Sequence, residues 1–317
     1  MTVGLRLLAV PIAGRDTASS RLRLYDLVAG LPPTFDVTVA PPGSAAVHDL
    51  RVDTFDLVYV QKDARPPVLE LCRRATDARV PIVYDIDDDF GCWPDMAEEE
   101  LCKLATVVTV DSDARADSLR GVARDAVVLP CMIDAAQHPA RRPAPSVRER
   151  IGTVGSFGNL LSLWHTLPWL AAVPPELDTY VVGPAGAERD LPRVPLVPFH
   201  LDDFVPSLLR ADVHILAHGE REAPLKDNNR LVMAMSLGLP TLVSATPAYL
   251  EVLADLGLEW LCCRPEEVPA RLGDLADPAV RLAVAQAGWA YAWDRYAPAR
   301  CLAEFVRVCD MAVGASR

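Results

Sequence analysis

The stretch EREAPLKDNNRLVMAMSLGLPTLVS, residues 220–244, contains a polar loop, a short helical pattern and an apolar run. Apolar residues recur at helical spacing from Leu231, and Gly238 ends the helix because glycine tolerates a positive φ. Residues 241–244 then have the composition of a buried strand. A helix that leads directly into a buried strand is typical of a parallel α/β sheet.

The start of this helix carries residues that favour anion binding: Lys226, Asn228, Asn229 and Arg230. Asn228 and Asn229 can cap the helix, because their side-chain oxygens accept hydrogen bonds from free backbone N–H groups. A helix N-terminus attracts anions through those N–H groups and through the helix dipole. Two cations at the same point predict a phosphate or diphosphate site. The alternative is a solvated loop and helix face.

The whole chain follows the α/β pattern twice. Apolar runs alternate with amphipathic segments before and after the Pro-rich stretch Gln137–Pro145. In the second half, a predicted strand at 151–154 leads into a turn at Gly155–Gly158, and a last strand is predicted at 258–262. The pattern predicts an α/β chain with two doubly wound, Rossmann-like domains facing a cleft. Ligands are expected beyond the carboxyl ends of the strands.

The composition argues against several classes of protein. The chain has 31 basic and 43 acidic residues, a net charge of −12, whereas a nucleic-acid-binding protein needs a positive surface. Its eight cysteines form no C-x-x-C pair, which indicates reduced thiols in a cytoplasmic protein. We find no convincing signal peptide, no membrane-spanning segment and no hydrophobic or basic patch for membrane binding. The sequence leaves the oligomeric state open.

A second polar stretch, IVYDIDDDF, places Asp85, Asp87, Asp88 and Asp89 at the end of a predicted strand. These carboxylates can cap the next turn or bind a metal ion as a D-x-D motif. A D-x-D motif after a strand also occurs in phosphatases of the haloacid-dehalogenase type, although there it lies near the start of the domain.

The loop after the first strand opens on the same side of the predicted sheet. Gly14, Ser20 and Arg21 on this loop are candidates for ligand contacts, and Ser19 is expected to cap the first helix.

His218 ends a predicted strand and enters the loop beyond it, which favours a role in the site. His214, within the same strand, is expected to be a core residue. Four tryptophans are expected in the core or at domain contacts: Trp164, Trp169, Trp289 and Trp293.

Four stretches, taken in order, resemble a GT-B glycosyltransferase of the family-4-like type, from a divergent bacterial subgroup. They are IVYDIDDDF (82–90), TVDSDARADSL…DAVVLPCMID (109–134), RIGTVGSFGN…ELDTYVVGP (150–184) and KDNNRLVMAMSLGLPTLVSATPAYLEVL (226–253). The resemblance covers nearly the whole chain. It implies an acceptor-binding domain at 1–140, a nucleotide-sugar-binding domain at 146–293, and a terminal helix at 294–317 that packs back on the first domain.

The resemblance further implies transfer of a sugar from a GDP- or UDP-linked donor to a small soluble acceptor, without a metal ion or other cofactor. Lys226 and Arg230 would stabilise the leaving diphosphate, and Asp87 or Asp88 would act on the acceptor. The donor-binding residues would be Gly155, Ser156, Phe157, Gly158, Gly183, Pro184, Phe199, His200, His218, Lys226, Asn228, Asn229 and Arg230. The acceptor-binding residues would be Gly14, Ser20, Arg21, Asp87 and Asp88. Bacterial natural-product or other small-molecule biosynthesis is the expected context.

The chain departs from the family pattern at one point. Two glutamates eight residues apart are usual in the donor site, and here those positions are Leu225 and Met233. In the family these acids contact hydroxyls of the donor sugar and ribose, so other contacts are expected to replace them. Three alternatives stay open: a metal-dependent phosphohydrolase that uses DIDDD, a nucleotide-sugar-binding protein without catalytic activity, and a nucleotide-sugar epimerase on the same fold.

Overall fold

The computed structural model describes residues 4–43, 45–87, 96–124, 126–134, 144–191, 194–221, 223 and 226–315. The chain divides into two compact units, Met1–Met132 with Ala297–Arg317, and Ile133–Tyr296. Each unit has one parallel sheet and surrounding helices. The prediction of an α/β chain with two parallel-sheet halves is therefore confirmed.

The sheet of the first unit has the strand order β2-β1-β3-β4-β5-β6, and all described pairs are parallel. Its strands are β1 (Leu5–Pro11), β2 (Phe35–Val39), β3 (Leu57–Gln61), β4 (Ile82–Ile86), β5 (Val107–Val110) and β6 (Ala126–Val128). Its helices are α1 (Ala18–Ser20), a π-helical turn (Arg21–Tyr25), α2 (Asp26–Ala29), α3 (Pro66–Asp77), α4 (Glu98–Leu104), α5 (Asp113–Ser118) and α12 (Pro298–Ala315).

The sheet of the second unit has the strand order β11-β10-β7-β8-β9 and is also parallel. Its strands are β7 (Thr153–Phe157), β8 (Asp178–Gly183), β9 (Leu196–Pro198), β10 (Val213–Leu216) and β11 (Thr241–Val243). Its helices are α6 (Leu160–Ala171), α7 (Phe204–Leu208), α8 (Asn229–Ser236), α9 (Pro247–Leu256), α10 (Val268–Asp274) and α11 (Pro278–Arg295).

Three of the interior strands are buried along their whole length. Every residue of β3, β4 and β10 is buried, which suits parallel strands covered by helices on both faces. In the first unit, α12 supplies part of this cover, and Phe305 packs edge-to-face on Tyr59 with 4.8 Å between the ring centroids. Because all strands of a sheet run the same way, the loops that follow them meet at one edge, and a ligand site is expected there.

The predicted turn at Gly155–Gly158 is wrong for three of its four residues, because β7 continues through Phe157. The glycine at 155 serves strand packing rather than a turn. A Cβ at this position would lie 3.0 Å from both the Ala211 Cβ and the Tyr180 ring.

The predicted strand at 258–262 is also wrong. Residues Glu259–Leu261 form a 3₁₀ turn, and Cys262 makes an isolated bridge to Val243. Gly257, with a φ of 63°, ends α9 in the left-handed conformation just before this turn. The chain therefore reverses where the apolar residues had predicted an extended segment.

Two side-chain predictions also fail. Trp164, expected in the core or at a domain contact, is not a core residue, since it is 56% exposed, whereas Trp169 and Trp293 are buried as expected. Ser19 does not cap the first helix, because α1 begins at Ala18 and Thr17 occupies the cap position.

Candidate functional site

Arg230 connects three segments at the carboxyl edge of the second sheet. Its Nη1 donates to the carbonyl oxygen of Phe157 at 3.0 Å, and its Nη2 lies 2.6 Å from Nε2 of His218. These contacts tie the first turn of α8 to the end of β7 and to the loop after β10. The sequence-predicted residues Phe157, His218 and Arg230 are therefore brought together.

His218 accepts a hydrogen bond in this arrangement. A guanidinium can only donate, so Nε2 of His218 carries no proton, and the Tyr249 hydroxyl, 3.2 Å from the same nitrogen, can donate to it as well. Burial lowers the pKa of His218 to about 2, and the charges of Arg230, Lys226 and His165 contribute in the same direction. The imidazole is thus neutral, and the positive charge of the cluster lies on the guanidinium and ammonium groups.

The start of α8 is arranged differently from the prediction. Asn228 makes no side-chain cap, and its Nδ2 donates instead to the Tyr296 hydroxyl at 3.0 Å. Asp227 replaces it: Oδ1 accepts from the backbone N–H of Asn229 at 3.2 Å, and Oδ2 accepts from Nδ2 of the same residue at 2.8 Å. The cap prediction for Asn228 and Asn229 is wrong, because the acid one position earlier reaches the first N–H group.

Gly158 leaves room for the guanidinium of Arg230. A Cβ at position 158 would lie 2.6 Å from Nη1 of Arg230 and 3.1 Å from Cβ of Ser162. The absence of a side chain here lets the guanidinium approach the end of β7. Asn159, the next residue, caps α6 by accepting from the N–H of Ser162 at 2.9 Å.

The residues predicted to hold the nucleotide base lie at the ends of β8 and β9. The N–H of Phe199 donates to the carbonyl oxygen of Gly183 at 2.7 Å, which joins the two strand ends. Pro184, Phe199 and His200 are exposed beside this bond. Ser156, in contrast, is buried within β7, and its Oγ makes no hydrogen bond in the described part of the chain.

A cavity of about 990 Å³ lies beside His218. Its lining combines side chains of α6 with charged residues of the loop after β10 and of the segment after the 3₁₀ turn at Glu259–Leu261: Leu161, His165, Trp169, His218, Glu220, Arg221, Arg264 and Glu266. Gly219 lets His165 lie against this loop, since a Cβ there would be 2.5 Å from the imidazole. His218 therefore borders both the arginine cluster and the cavity.

In the first unit, Asp85 belongs to a buried ion pair. Its two carboxylate oxygens accept from Nη2 and Nε of Arg23 at 2.5 and 2.8 Å, and Thr109 Oγ1 donates to Oδ1 at 2.6 Å. Arg23 also donates to the carbonyl oxygen of Leu129 at 3.0 Å. A carboxylate engaged in this way is poorly suited to bind a metal ion, which argues against the phosphohydrolase alternative.

Asp87 is 1% exposed, and its Oδ1 lies 3.6 Å from Nζ of Lys62. Lys62 has a φ of 65°, a left-handed conformation that is uncommon outside glycine and is often found at functional sites. Asp88 and Asp89, the other acids of this run, lie outside the described residues. A catalytic role of Asp87 or Asp88 stays a prediction.

The predicted acceptor-binding residues Ser20 and Arg21 are both buried and have structural partners. Ser20 Oγ donates to Oε1 of Gln61 at 3.0 Å and accepts from the N–H of Ala13 at 3.2 Å. Arg21 donates to the carbonyl oxygen of Arg15 at 3.1 Å. These bonds hold the loop after β1, on which the partly exposed Gly14 lies.

The sequence does not predict Arg23 and Lys62 as partners of Asp85 and Asp87. Arginine is abundant in this chain, so nothing distinguishes Arg23, whereas Lys62 is one of three lysines and its rarity is informative. His214 is a core residue as expected: it is buried, and its Nε2 lies 2.9 Å from the carbonyl oxygen of Leu208.

Among the described residues, no helix combines the length and the apolar character needed to cross a bilayer. In the same part of the chain, we find no group of three or more His, Cys, Asp or Glu side chains arranged to hold a metal ion.

Neither a protein-family model nor a curated protein matches the sequence. Solved structures do match. Alr3699/HepE from Anabaena, solved in complex with UDP, has a TM-score of 0.70 at 15% identity, over 96% of this chain and 99% of that chain. AviGT4, a glycosyltransferase involved in avilamycin A biosynthesis, has a TM-score of 0.60 at 14% identity, over 98% of each chain.

A UDP-N-acetylglucosamine 2-epimerase has a TM-score of 0.59 at 14% identity, over 99% of this chain and 97% of that chain. These similarities extend over the whole chain and include both parallel sheets. The chain therefore has the GT-B fold.

Proposed function

We propose that the chain transfers a sugar from a nucleoside-diphosphate sugar to a small-molecule acceptor. The observation that carries this proposal is the cationic cluster of Arg230 and Lys226 around neutral His218, at the carboxyl edge of the second sheet. In a parallel α/β sheet this edge, with its helix N-termini, is the usual place for phosphate groups. The similar structure of Alr3699/HepE holds UDP, which supports a nucleotide donor.

The cluster suits a leaving diphosphate. Negative charge develops on the diphosphate as its bond to the sugar breaks, and fixed cations that are already in place stabilise this charge in the transition state. Arg230 is fixed by Phe157 and His218, so little reorganisation is needed. Asp227 beside the first N–H of α8 opposes an anion there, which makes the two cations the main contributors to binding.

The remaining roles follow the resemblance. Gly183, Pro184, Phe199 and His200 would contact the base, and the exposure of the last three is compatible with that role. Asp87 or Asp88 would take the acceptor proton. The donor would be GDP- or UDP-linked, and no other cofactor is required by this proposal. The similarity to AviGT4 supports a small-molecule acceptor in a biosynthetic pathway.

Nucleotide binding tests the proposal directly. We expect UDP, GDP, ADP or dTDP to raise the melting temperature, because a ligand that binds only the native state stabilises it by mass action. Lys226→Ala and Arg230→Ala should each weaken binding by about tenfold or more, the scale of one lost charged hydrogen bond. Arg295→Ala is a matched control, since this half-exposed arginine pairs with Asp255 at 2.7 Å.

No shift with any of the four nucleotides would contradict the proposal. If Arg295→Ala lowers the nucleotide affinity as much as Lys226→Ala and Arg230→Ala do, the loss of affinity comes from the change in net charge and not from the site.

A second candidate is epimerisation of the donor sugar without an acceptor. It is favoured by the similarity to a UDP-N-acetylglucosamine 2-epimerase. NMR of the nucleotide sugar with enzyme alone distinguishes the two, because epimerisation changes the sugar resonances without any acceptor, whereas transfer requires one.

A further inference from the structure

Helix α6 exposes several apolar residues and buries two polar ones. Leu161, Trp164, Pro168 and Ala171 recur along one side and are exposed, with Leu161 at 53% and Trp164 at 56%. Ser162 and Thr166 are buried, and Thr166 Oγ1 donates to the carbonyl oxygen of Ser162 at 2.9 Å. We call the exposed residues Leu161, Trp164, Pro168 and Ala171 the outer face of α6.

The outer face of α6 is also uncharged. The sequence LLSLWHTLPWLA, Leu160–Ala171, contains no Asp, Glu, Lys or Arg, on a protein whose net charge is −12. A solvated helix face normally carries charged residues, so twelve positions without one are not explained by solubility. An exposed apolar face of this kind marks a surface that binds something.

The outer face of α6 is continuous with the cavity beside His218. Leu161 lines that cavity, and Trp164 lies one turn along the same side of the helix. The buried ring of Trp169 and the ring of Pro265 extend the apolar wall inside. The lining also includes charged residues of both signs: Glu220, Arg221, Arg264 and Glu266.

We propose that the outer face of α6 and the adjoining cavity bind a neutral ligand with a flat apolar ring system and a hydroxyl group. The ring would stack on Trp164 and contact Leu161, because indole offers a rigid apolar surface for planar groups. The hydroxyl would point towards His218. This ligand is the acceptor if the function proposed above is correct; the acceptor contacts predicted in the first unit are a separate hypothesis.

Two other occupants suit the observations less well. A membrane surface that carries anionic lipids attracts Lys and Arg, and α6 has neither. A second copy of the chain would need roughly 800 Å² per partner for a stable interface, and two half-exposed side chains with a proline and an alanine offer far less.

Calorimetric titration with 2-naphthol tests the proposal, with myo-inositol as a hydroxylated probe that lacks an apolar ring. We expect 2-naphthol to bind and myo-inositol not to. Trp164→Ala and Leu161→Ala should weaken naphthol binding by about tenfold, Trp164→Phe by less than about threefold. Leu250→Ala is the matched control, because Leu250 is another exposed leucine of the same unit, at 38%.

UDP titration of the same samples separates this proposal from the proposed function. If UDP binds and naphthol does not, the ring site is overturned and the proposed function stands. If naphthol binds and UDP does not, the nucleotide donor of the proposed function is overturned and the ring site stands. Equal naphthol affinity in wild type and Trp164→Ala also overturns the ring site. The ring site is also overturned if the wild-type protein forms a dimer, or floats with phosphatidylcholine vesicles, and Trp164→Ala abolishes that behaviour.

Discussion

Arg230 owes its position to neighbours that are small or neutral. The imidazole of His218 stays uncharged because burial and nearby cations hold its pKa at about 2, so it accepts from the guanidinium instead of repelling it. Gly158 leaves the space through which Arg230 reaches the carbonyl oxygen of Phe157. The position of Arg230 therefore depends on the missing charge of His218 and on the missing side chain of Gly158.

Gly158→Ala is expected to weaken nucleotide binding while the protein remains folded. The added Cβ would lie 2.6 Å from Nη1 of Arg230, so the guanidinium has to leave the Phe157 carbonyl. Loss of one charged hydrogen bond corresponds to about tenfold in affinity. Calorimetric titration with UDP measures it, and a thermal melt of the free protein confirms that the fold is retained.

Gly273→Ala is the control for that variant. Gly273 lies in α10 with nothing within 4 Å of an added Cβ, so this substitution should leave UDP affinity unchanged and raise helix stability slightly. If Gly158→Ala binds UDP as tightly as Gly273→Ala does, the observed position of Arg230 is not required for binding.

At the scale of elements, the sequence pattern predicts helices over 98–104 and 160–171, and α4 and α6 have these bounds. The pattern does not predict which side of α6 faces outward, because leucine and tryptophan occur all around it and the buried positions include Ser162 and Thr166 as well as Leu163, Trp169 and Leu170. Periodicity identifies an apolar face only when the other face is polar.

The candidate site was predictable where its residues are close in sequence. The helix start at 226–230 combines two cations with a helix N-terminus, and this segment follows β10 at the carboxyl edge of a parallel sheet, while the anion site itself stays a prediction. The partner of Asp85 was not predictable: Arg23 lies 62 residues earlier, and a single sequence carries no sign of such a pair. Long-range contacts of this kind depend on the assembled sheet.

The Arg23–Asp85 pair joins the π-helical turn, β4, β5 and the end of β6, and we expect it to be costly to break. The two side chains are 1% and 0% exposed, so Arg23→Ala leaves a buried carboxylate without its cation. Removing one partner of a buried pair destabilises by about 3–5 kcal/mol. Denaturant unfolding of Arg23→Ala and Asp85→Asn, followed by a probe in the first unit, measures this loss.

Arg6→Ala is the control, because the Arg6–Asp56 pair has the same chemistry at 45% and 35% exposure. Exposed pairs contribute only about 0–1 kcal/mol. A double variant, Arg23→Met with Asp85→Leu, should be less destabilised than either single variant. A double variant that loses the sum of both would argue that the groups stabilise the unit independently.

At the scale of the whole molecule, the two units differ in how they respond to mild acid. The second unit contains both histidines with a lowered pKa: burial holds His214 at about 4 and His218 at about 2. In the first unit, the described carboxylates with a lowered pKa are Asp53, Asp56 and Glu99, and their stabilising effect is lost only when the pH falls to their ordinary pKa values around 4, where the unfolded chain begins to take up protons. Between neutral pH and pH 5, the stability of the second unit should therefore fall first.

The sign follows from proton binding. Below the ordinary histidine pKa of 6.5, the unfolded chain takes up protons that the folded unit excludes, so the free energy of unfolding decreases as pH falls. From pH 6.5 to 5 each histidine contributes a loss of about 2 kcal/mol. Hydrogen exchange from pH 7 to pH 5 should show weaker protection in 153–296 before 5–132. His218→Gln, which keeps an acceptor for Arg230 but does not titrate, should remove about half of the loss. An unchanged pH dependence in this variant would mean that His218 takes up its proton at the same pH in the folded and the unfolded protein.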